Sequence, residues 1–335
     1  MLQRMAIIGA GAWGSALAIT ARRAGRDVVL WAHGADTAEA IESRRESPYL
    51  PGAPLEAGIR VTSDPSEVAG ADAVLLVAPA QKLREVCLRL APHWRPGVAA
   101  VICSKGIERR SSALMSEVVS ATLPSAGLAV LSGPSFAAEV ARGLPAAVTL
   151  ACADPVLGRR LVRALGTAAF RPYLSDDVTG VQIGGAVKNV LAIACGVVEG
   201  RRLGDNARAA LVTRGLAELM RLAAALKARP ETLMGLSGVG DLILTANSMQ
   251  SRNFSLGVAL GRGESLDAAL GERRSVAEGV HTATAVVGRA EALGVELPIC
   301  LAMDGILNRG QGLDEAIRGL MSRPFTTEVG YSIRM

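Results

Sequence analysis

Residues 7–18 read IIGAGAWGSALA, and this stretch decides how the first half of the chain folds. Gly9, Gly11 and Gly14 form a GxGxxG pattern that follows an apolar run and precedes a helix-like run. Such a turn uses its first glycine for the tight bend, its second for close approach to a pyrophosphate, and its third for helix–strand packing. The helix that follows presents free N–H groups to the phosphates. We therefore predict a dinucleotide site here, in preference to a purely structural turn.

Short apolar runs alternate with helix-like segments through residues 4–150. We predict strands at residues 5–8, 28–31, 73–77, 99–102, 128–131 and 146–150. The helix-like segments between them include residues 13–23, 82–90 and 112–123. This alternation predicts an open sheet of buried parallel strands with helices on both faces. Ligands of such sheets bind at the edge where the carboxyl ends of the strands meet.

From about Val178 the strand-like runs stop and long helical stretches follow. We predict helices at residues 182–198, 208–226, 282–293 and 299–307. Segment 171–177 (RPYLSDD) is polar and contains a proline, which is typical of a connection. The predicted fold is an α/β Rossmann-like N-terminal domain over residues 1–180, followed by a predominantly α-helical C-terminal domain over residues 181–335.

The composition favours a protein that acts on small molecules in a reducing compartment. Hydrophobic residues make up 50% of the chain, but we expect no apolar run to reach the ~18–20 residues that a membrane-spanning helix needs. Aromatic residues make up only 3%, and the net charge of +5 is scattered, which argues against nucleic-acid binding. The five cysteines include no CxxC, so we expect neither disulfides nor a metal site. We expect a cytoplasmic protein without membrane insertion or a nucleic-acid partner.

The end of the second predicted strand bears on the choice between NAD and NADP. An NAD-selective site usually has an acidic residue here for the ribose 2′-hydroxyl, but none occurs before Asp36. His33 stands near the expected place instead. NADP is therefore permitted, with His33, Arg44 and Arg45 as candidate partners of its 2′-phosphate. Both cofactors stay open, and His33 is equally explained as a loop residue without a ligand.

A second pattern, GGAVKN, occupies residues 184–189 inside a predicted helix. Gly184 and Gly185 lie on the same helix face as Lys188, whose side chain leans back over them. The two missing side chains predict a hollow beside an amine. The alternative is close helix packing, with the Lys188 ammonium reaching solvent.

Three further segments place polar groups where such a sheet binds ligands. Lys105 lies in CSKGIE after one predicted strand, and Gly133 and Ser135 lie in SGPSFAAE after another. The stretch GVGDLILT contains Asp241, and QSRN follows it with Arg252. A guanidinium suits a phosphate because it combines positive charge with forked hydrogen bonds. These segments favour a phosphorylated substrate.

Taken together, these motifs resemble the bacterial NAD(P)-dependent glycerol-3-phosphate dehydrogenase family. The matching strings run in family order from Ile7 to about Thr284: GAGAWGSALA, LWAH, SKGIE, SGPSFAAE, GVQIGGAVKNVLAI, NARAALVTRGLAE, GLSGVGDLILT, QSRN and VAEGVHT. The resemblance implies reversible hydride transfer between NAD(P)H and dihydroxyacetone phosphate, giving sn-glycerol 3-phosphate for glycerophospholipid synthesis. The chain departs from the pattern at residues 246–249 (ANSM) and at Ser135, where many relatives have Thr.

The resemblance also implies roles for individual residues. Lys188 is implied as the catalytic lysine, which protonates the new alkoxide or deprotonates the alcohol in reverse. The implied substrate contacts are Lys105, Gly133, Ser135, Lys188, Asp241, Ser251, Arg252 and Asn253. The implied nucleotide contacts are Gly9, Gly11, Ala12, Trp13, Gly14, His33, Lys105, Ala137, Arg252, Val276 and Glu278. In eukaryotic relatives, the positions of Asn189 and Thr245 also line the substrate site.

Two other functions share parts of this pattern. A β-hydroxyacid dehydrogenase of the 6-phosphogluconate type also pairs an N-terminal GxGxxG with a helical domain that carries a lysine. The GGAVKN, GDLILT and QSRN set favours the triose phosphate over that substrate class. A non-catalytic nucleotide-binding redox sensor has no need of Lys105, Lys188, Asp241 and Arg252 together. We also expect a homodimer, because apolar helical domains often bury one face against a partner.

Overall fold

A computed structural model describes residues 2–271 and 277–324 of the chain. In these residues one sheet contains eight strands: β1 (Arg4–Ile8), β2 (Asp27–Trp31), β3 (Ile59–Thr62), β4 (Ala73–Leu76), β5 (Ala99–Ile102), β6 (Gly127–Ser132), β7 (Ala146–Ala151) and β8 (Phe170–Ser175). The six strands predicted from apolar runs are confirmed as β1, β2, β4, β5, β6 and β7.

The α-helices of the first half, which pack on the sheet, are α1 (Ala12–Arg23), α2 (Ala35–Arg44), α3 (Leu83–Leu90), α4 (Met115–Thr122), α5 (Ala137–Ala141) and α6 (Pro155–Leu165). The helical second half contains α7 (Val178–Gly200), α8 (Asp205–Ala225), α9 (Pro230–Met234), α10 (Asp241–Ala246), α11 (Arg252–Gly261), α12 (Leu266–Gly271), α13 (Glu278–Ala292), α14 (Pro298–Asn308) and α15 (Leu313–Met321). A π-helical turn, Leu236–Gly240, leads directly into α10. The predicted fold class is confirmed.

The sheet order is β3-β2-β1-β4-β5-β6-β7-β8, and all strands from β3 to β6 in this order run parallel. Met5 and Ile7 pack into the core on one face of the sheet, and Ala6 and Ile8 pack into the core on the other. A strand covered on both faces reads as a continuous apolar run, which is why the central strands could be recognised. The five cysteines are buried with free thiols, as expected of small core residues: Cys87, Cys103, Cys152, Cys195 and Cys300.

Two strands were missed, and both lie at the edges of the sheet. β3 is one edge, and β8 is the other. The prediction of a connection at residues 171–177 was therefore wrong, because most of that segment is β8. Edge strands pair on one side only and can carry polar residues and Pro172, so they lack the apolar signature of central strands.

The direction of β7 was also predicted incorrectly. β7 runs antiparallel to β6, with Leu131 opposite Leu150, and parallel to β8. The helix between β6 and β7 is the five-residue α5, about 7 Å long, which is too short to return along a strand of about 20 Å. The carboxyl ends of β1 to β6 therefore share one edge of the sheet, and those of β7 and β8 do not.

α7 forms the centre of the helical half and packs against α8, α10, α11 and α13. Its 23 residues have the length and apolarity of a membrane span, with a mean hydropathy of 1.6, so the expectation that no segment reaches this length was wrong. The apolar stretch of α7 is entirely buried inside the protein. An all-round apolar helix of this kind is the core helix of a helical domain.

α7 and α11 approach closely because glycines face one another along the contact. A Cβ at Gly257 would lie 2.0 Å from the Ile193 carbonyl oxygen and 2.9 Å from the Gly196 Cα. A Cβ at Gly261 would lie 2.6 Å from the Val197 carbonyl oxygen. The contact therefore has no room for a side chain larger than hydrogen, and it fixes the position of the α11 N-terminus relative to α7.

We expect Gly257→Ala to lower the free energy of unfolding by about 1–3 kcal/mol, because overpacking a rigid contact forces the two helices apart. The matched control is Gly319→Ala in α15, where a Cβ would meet no atom of the described residues within 4 Å. That change should raise stability by about 0.5–1 kcal/mol, the usual gain for removing a helical glycine. Urea midpoints of the two variants measure both effects. Equal midpoints would contradict the packing argument.

Candidate active site

The glycine turn after β1 leaves an open place for a phosphate. Gly9 has φ +119°, and a Cβ there would lie 2.9 Å from the Val77 carbonyl oxygen. A Cβ at Gly14 would lie 1.7 Å from the Gly9 carbonyl oxygen, so Gly9 and Gly14 are required by packing. A Cβ at Gly11 would meet no described atom within 4 Å. Because Gly11 caps the N-terminus of α1, that space lies beside free N–H groups and fits a dinucleotide pyrophosphate.

The other predicted nucleotide contacts come from several parts of the chain, and Val276 is outside the described residues. Ala12, Trp13 and Ala137 pack against the same face of the sheet. His33 is exposed just after β2, and its ring packs edge-on against Trp31 with centroids 5.8 Å apart.

Arg45, one of the candidate partners of a 2′-phosphate, is held elsewhere. Its guanidinium donates to the Glu56 and Ile59 carbonyl oxygens at 3.0 and 2.8 Å and pairs with Glu42. Arg44 is exposed on α2. His33 and Arg44 are therefore both exposed, and Arg45 holds the loop that leads to β3.

At the centre of the candidate site, one buried carboxylate is shared by two lysines. Lys188 Nζ donates to Asp241 Oδ1 at 2.5 Å, and Lys105 Nζ donates to Asp241 Oδ2 at 2.7 Å. Lys188 Nζ also donates to Thr245 Oγ1 at 2.7 Å, and Lys105 Nζ also donates to the Gly133 carbonyl oxygen at 3.0 Å. The Asp241 side chain is only 1% exposed. The cluster carries two positive charges and one negative charge.

The members of this cluster come from four different parts of the fold. Lys105 and Gly133 follow the carboxyl ends of β5 and β6, at the ligand edge of the sheet. Lys188 projects from the middle of α7. Asp241 and Thr245 stand four residues apart in α10, on one face of that helix. Ser135, the next predicted contact, donates to the Gly133 carbonyl oxygen at 3.0 Å and so joins the same group.

The glycine pair before Lys188 serves close packing, and the predicted hollow is absent at both positions. A Cβ at Gly184 would lie 2.4 Å from the Ser237 carbonyl oxygen, and one at Gly185 would lie 2.5 Å from the Ser132 Oγ. The Lys188 side chain is 9% exposed, so its ammonium does not reach solvent as in the alternative interpretation. The glycines instead bring the π-helical turn and the end of β6 against α7, which places Asp241 and Lys105 beside Lys188.

The environment of Lys188 shifts its acid–base equilibrium. Burial lowers the pKa of Lys188 to about 8, from an ordinary 10.5. The charge of Asp241 opposes this fall, and the positive charges of Lys105 and Arg252 add to it. An amine with a pKa near 8 can give up or take back a proton at working pH, which is the property of a general acid–base group.

The start of α11 supplies the predicted phosphate contacts. Ser251 caps the helix, and its Oγ accepts from the Phe254 N–H at 3.2 Å. Arg252 is exposed at the first helical position, and its charge lowers the pKa of both Lys188 and Glu278. Asn253 is buried. An anion bound beside Arg252 would meet a guanidinium, the α11 N-terminus and the net positive charge around Asp241.

A contact that the sequence does not reveal joins the two halves of the chain. Glu278 Oε1, at the start of α13, accepts from the Ala80 N–H at 3.2 Å. Burial raises the pKa of Glu278. Ala80 lies in the loop after β4, close to Val77, which touches the glycine turn. Ala80 escaped notice because it contributes a backbone N–H, which leaves no mark in a sequence.

Comparison with known proteins identifies the family of the chain. Residues 4–157 match the NAD-dependent glycerol-3-phosphate dehydrogenase N-terminus, and residues 177–318 match the C-terminus of the same family. The chain belongs to this NAD(P)-dependent oxidoreductase family.

Individual relatives cover nearly the whole chain. The sequence is 61% identical to the glycerol-3-phosphate dehydrogenase [NAD(P)+] of Rhodospirillum rubrum, over 98% of this chain and 95% of the relative. It is 54% identical to that of Parvibaculum lavamentivorans, over 97% of this chain and 98% of the relative. The crystal structure of the Coxiella burnetii glycerol-3-phosphate dehydrogenase superimposes with a TM-score of 0.93 at 37% identity, covering 96% of this chain and 99% of that one.

We expect Gly11→Ala and Gly14→Ala to separate nucleotide binding from folding. The Gly11 variant should keep the wild-type urea midpoint, because its methyl group enters open space, but should bind NADPH at least about tenfold more weakly. The Gly14 variant should lose about 1–3 kcal/mol of stability through its clash with Gly9. Fluorescence titration with NADPH and urea unfolding test the pair. If the Gly11 variant binds NADPH with wild-type affinity, the pyrophosphate does not bind at this turn.

Proposed function

We propose that the chain catalyses reversible hydride transfer between NAD(P)H and dihydroxyacetone phosphate, giving sn-glycerol 3-phosphate. The observation that carries this proposal is the Asp241 carboxylate shared by Lys105 and Lys188 at the ligand edge of the sheet. An ammonium has three N–H donors, and the described partners of each lysine take two. One donor of each therefore remains for the oxygen of a bound carbonyl.

In this mechanism Lys188 is the acid–base group. Lys188 gives its remaining proton to the alkoxide that forms at C2 of the substrate, and it takes the proton back during alcohol oxidation. Lys105 polarises the same oxygen and, by like-charge repulsion, helps to keep the pKa of Lys188 near 8. Asp241 orients both ammoniums, and Thr245 accepts a second hydrogen bond from Lys188. Ser135 and Gly133 shape the loop beside Lys105.

The phosphate of the substrate binds at the start of α11 in this proposal. Arg252 supplies a guanidinium at the surface end of the site, and Ser251 holds the first turn of the helix. The guanidinium fork can pair with two phosphate oxygens at once. The nearby net charge of the Asp241 cluster attracts a dianionic substrate. Asn253 belongs to the same segment.

The dinucleotide belongs at the turn formed by Gly9, Gly11 and Gly14. When bound, the nicotinamide supplies the hydride for reduction and accepts it for oxidation. Ala12, Trp13 and Ala137 wall this side of the sheet, His33 stands at the ribose end, and Glu278 approaches the loop after β4 from the second half. No acidic residue stands between the end of β2 and Asp36, which leaves both NADP and NAD as cofactors.

The organisation of the chain follows from the same proposal. Residues 1–180 form the dinucleotide-binding domain, and residues 181–335 form the helical catalytic domain. We further propose a cytoplasmic homodimer that supplies glycerol phosphate for glycerophospholipid synthesis, without membrane insertion and without a nucleic-acid partner.

The direct test mixes the purified protein with dihydroxyacetone phosphate and either NADPH or NADH, and follows the loss of nicotinamide absorbance. Rapid oxidation is expected with this substrate. The reverse assay with NADP⁺ or NAD⁺ should give turnover with sn-glycerol 3-phosphate and none with 6-phosphogluconate or a 3-hydroxy acid. If 6-phosphogluconate is turned over and sn-glycerol 3-phosphate is not, the protein is a β-hydroxyacid dehydrogenase. Nucleotide binding without any turnover would favour the redox sensor.

We expect Lys188→Ala to lower turnover by about 10²–10⁴-fold and to leave NADPH affinity unchanged, because the change removes the acid–base group but not the nucleotide turn. Lys82→Ala is the matched control, since the side chain of Lys82 is 65% exposed and forms a surface ion pair with Glu85. Steady-state kinetics and an NADPH titration measure both properties. Turnover within a few-fold of wild type would take Lys188 out of the mechanism.

The reaction should also depend on pH through Lys188. Reduction needs the ammonium, so kcat/KM should be level below pH 8 and fall above it, because the pKa of Lys188 is about 8. Oxidation needs the neutral amine, so its kcat/KM should rise up to about the same pH. Asp241→Asn removes the negative charge that raises the pKa of Lys188, so both inflections should move to lower pH. If the inflection stays in place or moves to higher pH, the titration that it reports does not belong to Lys188.

A further inference from the structure

Three buried polar groups connect the helices that carry the proposed ligand contacts. Asn253 Nδ2 donates to Asn189 Oδ1 at 2.9 Å, and Asn253 Oδ1 accepts from the Gly279 N–H at 3.1 Å. Asn189 belongs to α7, Asn253 to α11 and Gly279 to α13. We call this arrangement the Asn253 bridge. It uses both ends of one carboxamide to join three helices.

Each residue of the bridge directly follows a residue of the proposed site. Asn189 follows Lys188, Asn253 follows Arg252, and Gly279 follows Glu278. Neighbouring Cα atoms are about 3.8 Å apart, so the bridge sets the relative positions of the three preceding residues closely. Glu278 in turn accepts from Ala80 in the loop after β4. The bridge therefore links Lys188 to the start of α11, where the phosphate is proposed to bind, and to the sheet edge, where the nucleotide is proposed to bind.

The surroundings of the bridge leave it little freedom to shift. A Cβ at Gly279 would lie 2.6 Å from Ile193 Cδ1, 2.7 Å from the Asn189 carbonyl oxygen and 2.9 Å from Asn253 Oδ1. Asn189 and Asn253 are 5% and 8% exposed. Buried polar groups that lose their partners are costly, so the two hydrogen bonds hold the three helices in one arrangement.

We propose that Asn253 is a positioning residue whose carboxamide couples nucleotide affinity to substrate affinity. Its Nδ2 and Oδ1 are directed to Asn189 and Gly279 in the interior, so its side chain acts on the phosphate through the placement of Arg252. The same carboxamide acts on the nucleotide through the placement of Glu278. This inference rests on the proposed function for its substrate half, and its nucleotide half stands on NADPH binding alone.

The test measures two constants for Asn253→Ala: the Kd of NADPH without substrate, and the KM of dihydroxyacetone phosphate. Both should rise about tenfold, because the loss of the bridge frees Glu278 and Arg252 together. A direct phosphate ligand would raise the KM alone. Asn247→Ala is the matched control, since this exposed carboxamide donates to the Ile243 carbonyl oxygen in the adjoining turn of α10. Neither constant should change in the control.

A double-mutant cycle measures the coupling between Asn189 and Asn253, which distinguishes loss of the bridge from a general loss of structure. Asn189→Ala removes the oxygen that accepts from Asn253 Nδ2. The Asn189→Ala/Asn253→Ala pair should therefore weaken NADPH binding no more than the stronger single change does. If Asn253→Ala does not fold, Asn189→Ala alone provides the same test. The bridge would be overturned if the fold-increases in NADPH Kd of the two single variants multiplied in the double variant. An unchanged NADPH Kd in either single variant would overturn it as well.

Failure of the proposed function has a separate signature. If wild-type protein binds NADPH but does not reduce dihydroxyacetone phosphate, the substrate assignment is lost. The rise in NADPH Kd and its non-additivity then still support the bridge. If wild-type protein is active and Asn253→Ala binds NADPH normally, the function stands and the bridge is wrong.

Discussion

The site depends on one carboxylate that two ammoniums share. Asp241 is almost fully buried, and it receives one hydrogen bond from Lys105 of the α/β half and another from Lys188 of the helical half. Removing Asp241 would leave the two ammoniums without the negative charge that they share, which is expensive in a protein interior. The two halves of the chain are therefore held together at this cluster, and burial lowers the pKa of Lys188 to about 8.

The backbone around this cluster is shaped to let it form. Gly184 and Gly185 let α7 touch the π-helical turn and the end of β6, and Gly238 lets that turn close on α9, where a Cβ would lie 1.9 Å from the Leu233 carbonyl oxygen. Glycine in helices and turns usually weakens a fold. Here that cost is offset because three elements approach closely enough for short charged hydrogen bonds. The Gly196–Gly257 contact does the same for α11.

The proposed nucleotide site and the proposed phosphate site are also connected by a second set of hydrogen bonds, which does not involve Asp241. Glu278 reaches the loop after β4, and the Asn253 bridge ties the start of α13 to α11 and α7. Both sets of hydrogen bonds cross from the sheet edge to the helical half. A nucleotide held at the glycine turn and a phosphate held at the start of α11 would therefore meet a single, mutually braced framework.

The sequence by itself determined the glycine turn, the six apolar strands and the helical second half, and it pointed to Lys188 as a candidate catalytic residue. Each of these features shows locally, as residue spacing, hydrophobic periodicity or an unusual pair of residues. The edge strands, the reversed direction of β7 and the packing role of Gly184 and Gly185 were decided only by the tertiary structure. Lys105 and Asp241 are 136 residues apart, and Asn189 and Asn253 are 64 apart. No local pattern specifies such pairs, since hydrogen-bond geometry and burial arise only when distant segments pack together.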